Sequence, residues 1–207
     1  AMRVAAQLPV VLFGVLLGTL LPLPARAAGE GGAAQPTEAG TIDARHTRIG
    51  FTLKTRWGQV LRGRFPEYTG RIERLAEGKR RVQLRLDARE VTIDGHPNYT
   101  RYTRDEGFFD AERFREVSFV SDPYAPALLR EGGTLSGTLQ IRDVRRTERF
   151  QIAPSACARP GEDCDVVAVG SVRRSDYGVD RWMFAVSDQV RFTLHLRVLP
   201  AADEAAP

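Results

Sequence analysis

Residues 104–114 read RDEGFFDAERF and set two adjacent phenylalanines, Phe108 and Phe109, between the acid pairs Asp105/Glu106 and Asp110/Glu112. Paired carboxylates are residues of general acid–base catalysis, and two phenyl rings would give them an apolar floor for a substrate. Acids that bracket a short helix also cap it and solvate its face, which is the simpler use of these four. Of the three histidines, His46 lies three residues after Asp43 and is the one placed for a role beyond the surface. His96 follows Asp94-Gly95 in a turn, and His195 falls on the polar side of an alternating strand. Nucleophile signatures are missing: Gly133-Thr134-Leu135-Ser136-Gly137 puts its serine one place too late for a nucleophile elbow. HExxH, a Walker loop and GxGxxG do not occur either.

These residues must be positioned by strands. Ile49, Phe51 and Leu53 alternate with polar residues or glycine, as do Val82, Leu84 and Leu86, and the rhythm returns at Leu135, Leu139 and Ile141 and at Phe150 and Ile152. It closes with Phe192, Leu194, Leu196 and Val198. Turn signals at Glu77-Gly78, Glu131-Gly132-Gly133 and Pro160-Gly161 separate these runs as hairpins require. Weaker strands at 60–72, 117–121 and 166–172 bring the expected count to about eight, the size at which a closed antiparallel barrel holds one small ligand. A two-sheet sandwich shows the same alternation. Residues 96–114 break the rhythm: Pro97 opens a short helix, an extended Phe108-Phe109-Asp110 follows, and Ala111–Arg113 form a helical turn. Across the open end of a barrel, such an insertion turns its aromatics inward and its acids outward.

Arg3 precedes a 16-residue apolar run, Leu8–Leu23, and Ala25-Arg26-Ala27 follows with small residues where a signal peptidase reads. The run is shorter than the ~20 residues of a membrane span, so residues 1–27 are expected to be a cleaved signal peptide and the mature protein periplasmic or secreted. Residues 28–40 read as a flexible leader, 41–200 as one domain and 201–207 as a tail. Removing Arg3 and Arg26 lowers the net charge from +4 to +2, with charges alternating in sign along the chain, which argues against a nucleic-acid partner. Export permits a disulfide, and Pro160-Gly161 turns the chain between Cys157 and Cys164, so a disulfide-closed loop is expected over two unrelated thiols or a metal site.

Seven motifs in order, TIDARHTRIGFTLK, RGRFPEYTGRI, a helix ending in FFD, VSFVS, GTLQIRDV, RRSDYG and DQVRFTLHL, resemble those of the YceI-like family of exported lipid-binding proteins over about 41–199. The resemblance implies an eight-stranded, lipocalin-like antiparallel barrel that binds a polyisoprenoid or other long-chain amphiphile in its interior. Asp43, His46 and Phe51 match the opening D-x-x-H-S-x-x-x-F with Thr47 for Ser, and Gly63 and Phe65 match G-x-F. Phe108, Phe109 and Asp110 match FFD, Gly137, Leu139, Ile141 and Arg142 match G-x-L-x-I-R-G, and Arg174, Ser175, Asp176, Tyr177 and Gly178 match R-S-D-F-G. Asp143 replaces the usual glycine, a change the turn tolerates if it needs a left-handed residue there, since Asp visits that region more readily than most, and Arg115 replaces a customary proline. The helix has Tyr-Thr-Arg-Tyr-Thr for the usual R-D-x-H-L, and Cys157/Cys164 lie outside the general pattern, as a subgroup staple.

Three functions follow. In the first, a non-catalytic carrier holds a long-chain lipid, such as an isoprenoid quinone or a polyprenyl chain, with no other cofactor or metal and with transient membrane contact. Its expected lining is Phe51, Leu53, Phe65, Leu84, Leu86, Phe119, Leu139, Ile141, Phe150, Phe192 and Leu194, with Phe108 and Phe109 closing the mouth. The same side chains would equally make a solid core. The second is an enzyme acting on an amphiphile through His46/Asp43 or the acidic lid. The third is a scaffold partner of a membrane redox or stress system, marked by a filled interior and a large exposed apolar patch.

Overall fold

A computed structural model describes residues 35–202. The expected signal peptide, most of the leader and residues 203–207 lie outside the described residues. Twelve strands carry the fold: β1 (Thr37–Ile42), β2 (Arg48–Lys54), β3 (Val60–Arg64), β4 (Tyr68–Arg74), β5 (Arg80–Asp87) and β6 (Thr92–Ile93), then β7 (Glu116–Ser121), β8 (Gly133–Ile141), β9 (Val144–Ile152), β10 (Val166–Arg173), β11 (Gln189–Leu196) and β12 (Val198–Pro200). Helix α1 (Pro97–Arg104) separates β6 from β7, and a four-residue helix, α2 (Leu128–Glu131), precedes β8. β1 starts at Thr37, inside the segment expected to be leader.

All twelve strands join one curled antiparallel sheet in the order β12-β1-β4-β5-β7-β8-β9-β10-β11-β2-β3-β6. The expected eight are therefore twelve, because long strands are interrupted: between β1 and β2, β3 and β4, β5 and β6, and β11 and β12. Members of each interrupted pair keep company. β1 and β2 pair with β12 and β11 on one side and with β4 and β3 on the other.

The first interruption has a local cause. Asp43 Oδ1 accepts the Arg45 N–H (2.9 Å) and its carbonyl accepts the Thr47 N–H (3.0 Å), which turns the chain out of extended geometry. Opposite it, the Asp43 N–H donates to the Arg197 carbonyl (2.9 Å) and the Arg197 N–H donates to Thr47 Oγ1 (2.8 Å), so the breaks in adjacent strands are stitched together. The Tyr68 hydroxyl donates to the Thr47 carbonyl (2.7 Å) from just beyond the break between β3 and β4, where Pro66 brings no N–H to the ladder.

Alternation fixes which side chains face inward. Phe51 and Leu53, Leu84 and Leu86, Leu135, Leu139 and Ile141, and Phe192 and Leu194 are buried on the inner face of their strands. Three rings need a glycine beside them, among them Phe119, whose ring tip would stand 2.5 Å from a Cβ at Gly137. The Phe51 ring lies over Gly63, its register partner, where a Cβ would stand 2.2 Å from the ring, and Phe150 lies over Gly170, where a Cβ would stand 2.7 Å away.

Pro97 at the first turn of α1 and Arg101 and Arg104 in its last turn suit the helix dipole. The helix docks on β6 where the Ile93 N–H donates to Thr100 Oγ1 (2.8 Å), and the Arg104 Nε donates to the Val91 carbonyl (3.0 Å). Phe108 and Phe109 then lie in a turn and not in extended chain. Asp110 ends that turn with a positive φ of 49° and accepts the Arg113 and Phe114 N–H groups on its carbonyl. The left-handed position of the β8–β9 hairpin falls on Arg142 (φ 58°), so Asp143 is not asked to take it.

Candidate functional site

Two apolar chambers occupy the interior. The larger measures about 260 Å³ and is lined by Phe51, Leu53, Phe108, Phe109, Ile141 and Phe192 together with Trp57, Leu61, Tyr99, Tyr102, Val172, Arg174, Tyr177 and Trp182. The smaller, about 90 Å³, is lined by Leu84, Leu86, Phe119, Leu139, Phe150, Phe192 and Leu194. Of the thirteen expected lining residues, Phe65 alone faces neither chamber. It is fully buried behind the wall, its ring 5.6 Å from Phe51 and 5.7 Å from Phe109. Phe192 is the residue common to both chambers, its ring 5.9 Å from Phe51.

The Cys157–Cys164 disulfide is formed, and its loop supplies Pro160, Gly161 and Glu162 to the smaller chamber. The Gly161 carbonyl accepts the Val198 N–H (2.8 Å) and the Glu162 carbonyl accepts Arg197 Nη1 (2.6 Å), which ties the loop to β12.

The buried polar residues on the wall of the larger chamber, Thr55, Thr103, Arg174 and Tyr177, are engaged by the protein itself. Thr103 Oγ1 donates to the Tyr99 carbonyl (2.7 Å), Thr55 Oγ1 accepts the Gln59 N–H (3.1 Å), and the Tyr177 hydroxyl donates to Glu148 (2.7 Å). Burial first, and then that hydrogen bond, push the Tyr177 phenol well above the usual tyrosine range. Arg174 is the one charged residue on this wall and is buried. Its guanidinium donates to the carbonyls of Val179, Arg181, Val186 and Ser187 and to the Met183 sulfur, at 2.9–3.4 Å. With those donors engaged and its face 5.3 Å from the Phe108 ring centre, Arg174 organises the 178–187 loop and leaves little for an anionic head group. Burial lowers its pKa, opposed by Asp188 and Asp180.

The residues proposed for acid–base chemistry do not meet the chambers. His46 Nδ1 stands 2.6 Å from Asp43 Oδ2, but the His46 side chain is 66% exposed and neither residue lines a chamber. The hydrogen bonds from His46 and then from the Arg45 backbone hold the Asp43 carboxyl below its usual range. Asp105, Glu106 and Glu112 face solvent; Asp110 is buried, its carboxylate 3.3 Å from Arg113 Nη1. His195 lies 3.6 Å from Asp165 on the outer side of β11. Among the described residues no group of three His, Cys, Asp or Glu side chains is arranged to hold a metal, and no helix is long and apolar enough to cross a membrane.

The expected lining leaves out Trp57, Tyr99, Tyr102, Trp182 and the 178–187 loop, although Tyr99 and Tyr102 lie in the insertion whose aromatics are expected to turn inward. The available signal was Arg181-Trp182-Met183-Phe184, an apolar run without alternation beside the matched R-S-D-Y-G segment.

A curled antiparallel sheet around an apolar interior, crossed by one short helix, is the fold shared with several solved structures. These include BcnA of Burkholderia cenocepacia (20% identity, TM-score 0.58, covering 75% of this chain and 98% of that one). A polyisoprenoid-binding domain from Saccharophagus degradans, implicated in plant cell wall breakdown, is similar at 15% identity and TM-score 0.61, over 80% of this chain and 100% of the other. The YceI protein of Campylobacter jejuni is similar at 18% identity and TM-score 0.52, over 67% and 84%. No curated protein matches the sequence. The family model of the YceI-like domain matches residues 41–198, and the chain belongs to that family.

Proposed function

We propose that this protein is a periplasmic carrier that holds the tail of a long-chain isoprenoid, a quinone or polyprenyl chain, in its interior without acting on it chemically. The observation that carries the reading is the wall of the 260 Å³ chamber, where Arg174, Tyr177, Thr55 and Thr103 turn their hydrogen-bonding atoms to the protein and hydrocarbon faces the space. Such a wall favours a ligand tail by hydrocarbon burial, at about 0.8 kcal/mol per CH₂. The isoprenoid class is brought from the Saccharophagus degradans domain, described as polyisoprenoid-binding. In this reading each interrupted strand pair acts as one wall strand, so that the twelve segments work as an eight-stranded barrel.

Asp43, His46 and Thr47 serve as a structural corner in this account. The exposure of His46 and its distance from both chambers give the enzyme reading no support. The test is chemical: protein exported to a periplasm, purified without detergent and extracted with organic solvent should yield a long-chain lipid in stoichiometric amount.

A further inference from the structure

We infer that the rim of the larger chamber is a membrane-docking surface that seats on a bilayer containing anionic lipid, an inference that rests on the lipid-carrier function proposed above. Three chain segments meet at this rim. Lys54-Thr55-Arg56-Trp57 comes from the end of β2, Tyr99-Thr100-Arg101-Tyr102-Thr103-Arg104 from α1, and Arg181-Trp182-Met183-Phe184 from the loop before β11. Each joins large apolar side chains to cations, and together they hold five cations and no acid; Asp105, Glu106 and Asp180 flank them.

The segments are held to one another. The Arg56 N–H donates to the Ala185 carbonyl (2.8 Å), Gln59 Nε2 lies 3.4 Å from His96 Nε2 at the start of α1, and the Tyr102 and Trp182 rings are 6.4 Å apart. Trp57, Tyr99, Tyr102 and Trp182 all line the chamber, so its mouth opens inside the ring they form. Yet they are far from buried. Trp57 is 78% exposed and Phe184 66%, with Met183 and Trp182 also exposed. Trp182 holds a positive φ of 63°, a strained conformation for a bulky residue, in the turn that presents this apolar run.

A concentration of exposed tryptophan and tyrosine with arginine is what the interface of a bilayer favours: amphipathic rings sit at head-group level and cations meet anionic lipid. The charge of the rim selects among occupants. A hydrophobic partner protein would be met by the rings alone, whereas five cations among them match a negatively charged lipid surface. The same end of the molecule is where a tail would enter, so docking would bring the chamber mouth to the membrane that holds the lipid.

The test measures binding of the mature full-length protein to phosphatidylcholine vesicles with and without phosphatidylglycerol, by flotation and by quenching of tryptophan fluorescence with brominated acyl chains. One variant carries Arg56→Ser and Arg101→Ser, the other Phe184→Ser; none of these three residues lines a chamber. At about fivefold per basic residue near an anionic surface, the arginine variant should bind phosphatidylglycerol vesicles about thirtyfold more weakly and neutral vesicles unchanged. The Phe184 variant should bind both less. Retained lipid, measured by extraction, should equal wild type in both variants, which also shows that they fold. Wild-type protein that docks but carries no extractable lipid would sink the carrier function and leave the docking surface standing. Wild-type protein that carries lipid but ignores vesicles would overturn the docking surface, as would variants that bind like wild type. So would a solution dimer that the Phe184 variant dissolves without any vesicle binding, because the occupant would then be a second copy.

Discussion

Phe192 stands between the two chambers, and replacing it with alanine should join them. A space of about 30 Å³ accommodates one water-sized group, so the 260 Å³ chamber takes about nine carbon positions of a tail. The 90 Å³ chamber adds about three on the same measure. The phenyl ring removed from Phe192 fills about 100 Å³, or about three more positions, so the accessible length in Phe192→Ala is about fifteen positions on that scale. In the wild type, a tail longer than about nine carbons must turn the Phe192 ring to go further, which costs part of the gain from each added carbon. Competitive displacement of a fluorescent fatty probe by a homologous series of alcohols reads this directly. Wild-type affinity should rise about fourfold per carbon, the equivalent of 0.8 kcal/mol per CH₂, up to a break near nine carbons. In Phe192→Ala the rise should continue to about fifteen, on a protein destabilised by about 3–5 kcal/mol for the lost buried ring. A break at the same length in both proteins, or no dependence on chain length in either, would refute the two-chamber reasoning.

Two further predictions concern the wall. Replacing Phe108 and Phe109 with alanine removes about 50 Å² of apolar wall per ring, which at about 25 cal/mol/Å² weakens lipid retention by roughly tenfold for each; Glu106→Gln, on the solvent side, should retain lipid as wild type does when both are measured by extraction. Tyr177 reports through pH: its native pKa is raised, so its contribution is complete below the ordinary tyrosine value of about 10 and is lost as pH rises beyond it, when the unfolded chain ionises and the buried phenol does not. Urea melts between about pH 9 and 11 should show stability falling, with a part of up to about 1.4 kcal/mol per pH unit absent in Tyr177→Phe. Tyr68 and Tyr124, also raised chiefly by burial, account for slope that remains.

Much of the sheet was legible because alternation is a local signal. Phe51/Leu53, Leu84/Leu86 and Phe192/Leu194 each declare an inward face within a few residues. The strand breaks were not, because a local turn such as Asp43–Thr47 becomes a break only with its long-range partner: Thr47 is fixed by Arg197, 150 residues away, and no window of sequence contains both. The acid-flanked phenylalanines were half legible. Their inward direction followed from composition, but the turn that aims them depends on Asp110 adopting a positive φ, which an aspartate tolerates without announcing it. Phe65 illustrates the limit of alternation. It is buried, yet Phe51 and Phe109 stand between it and the space, and depth within a core leaves no trace in a one-residue pattern.

The rim escaped notice for a different reason. Trp57, Tyr102 and Trp182 come from three distant segments and become a ring only when Arg174 gathers the loop carbonyls of Val179, Arg181, Val186 and Ser187 around its guanidinium. The matched R-S-D-Y-G segment marked Arg174, but five hydrogen-bond partners at positions 179–187 are a property of the folded loop.

Mass spectrometry of the organic extract of detergent-free, periplasmically exported protein tests the central claim most directly. The account predicts a long-chain isoprenoid at about one per protein, the count expected for a small β-barrel interior that holds one ligand. Extracts free of lipid, from protein that is folded and exported, would contradict it.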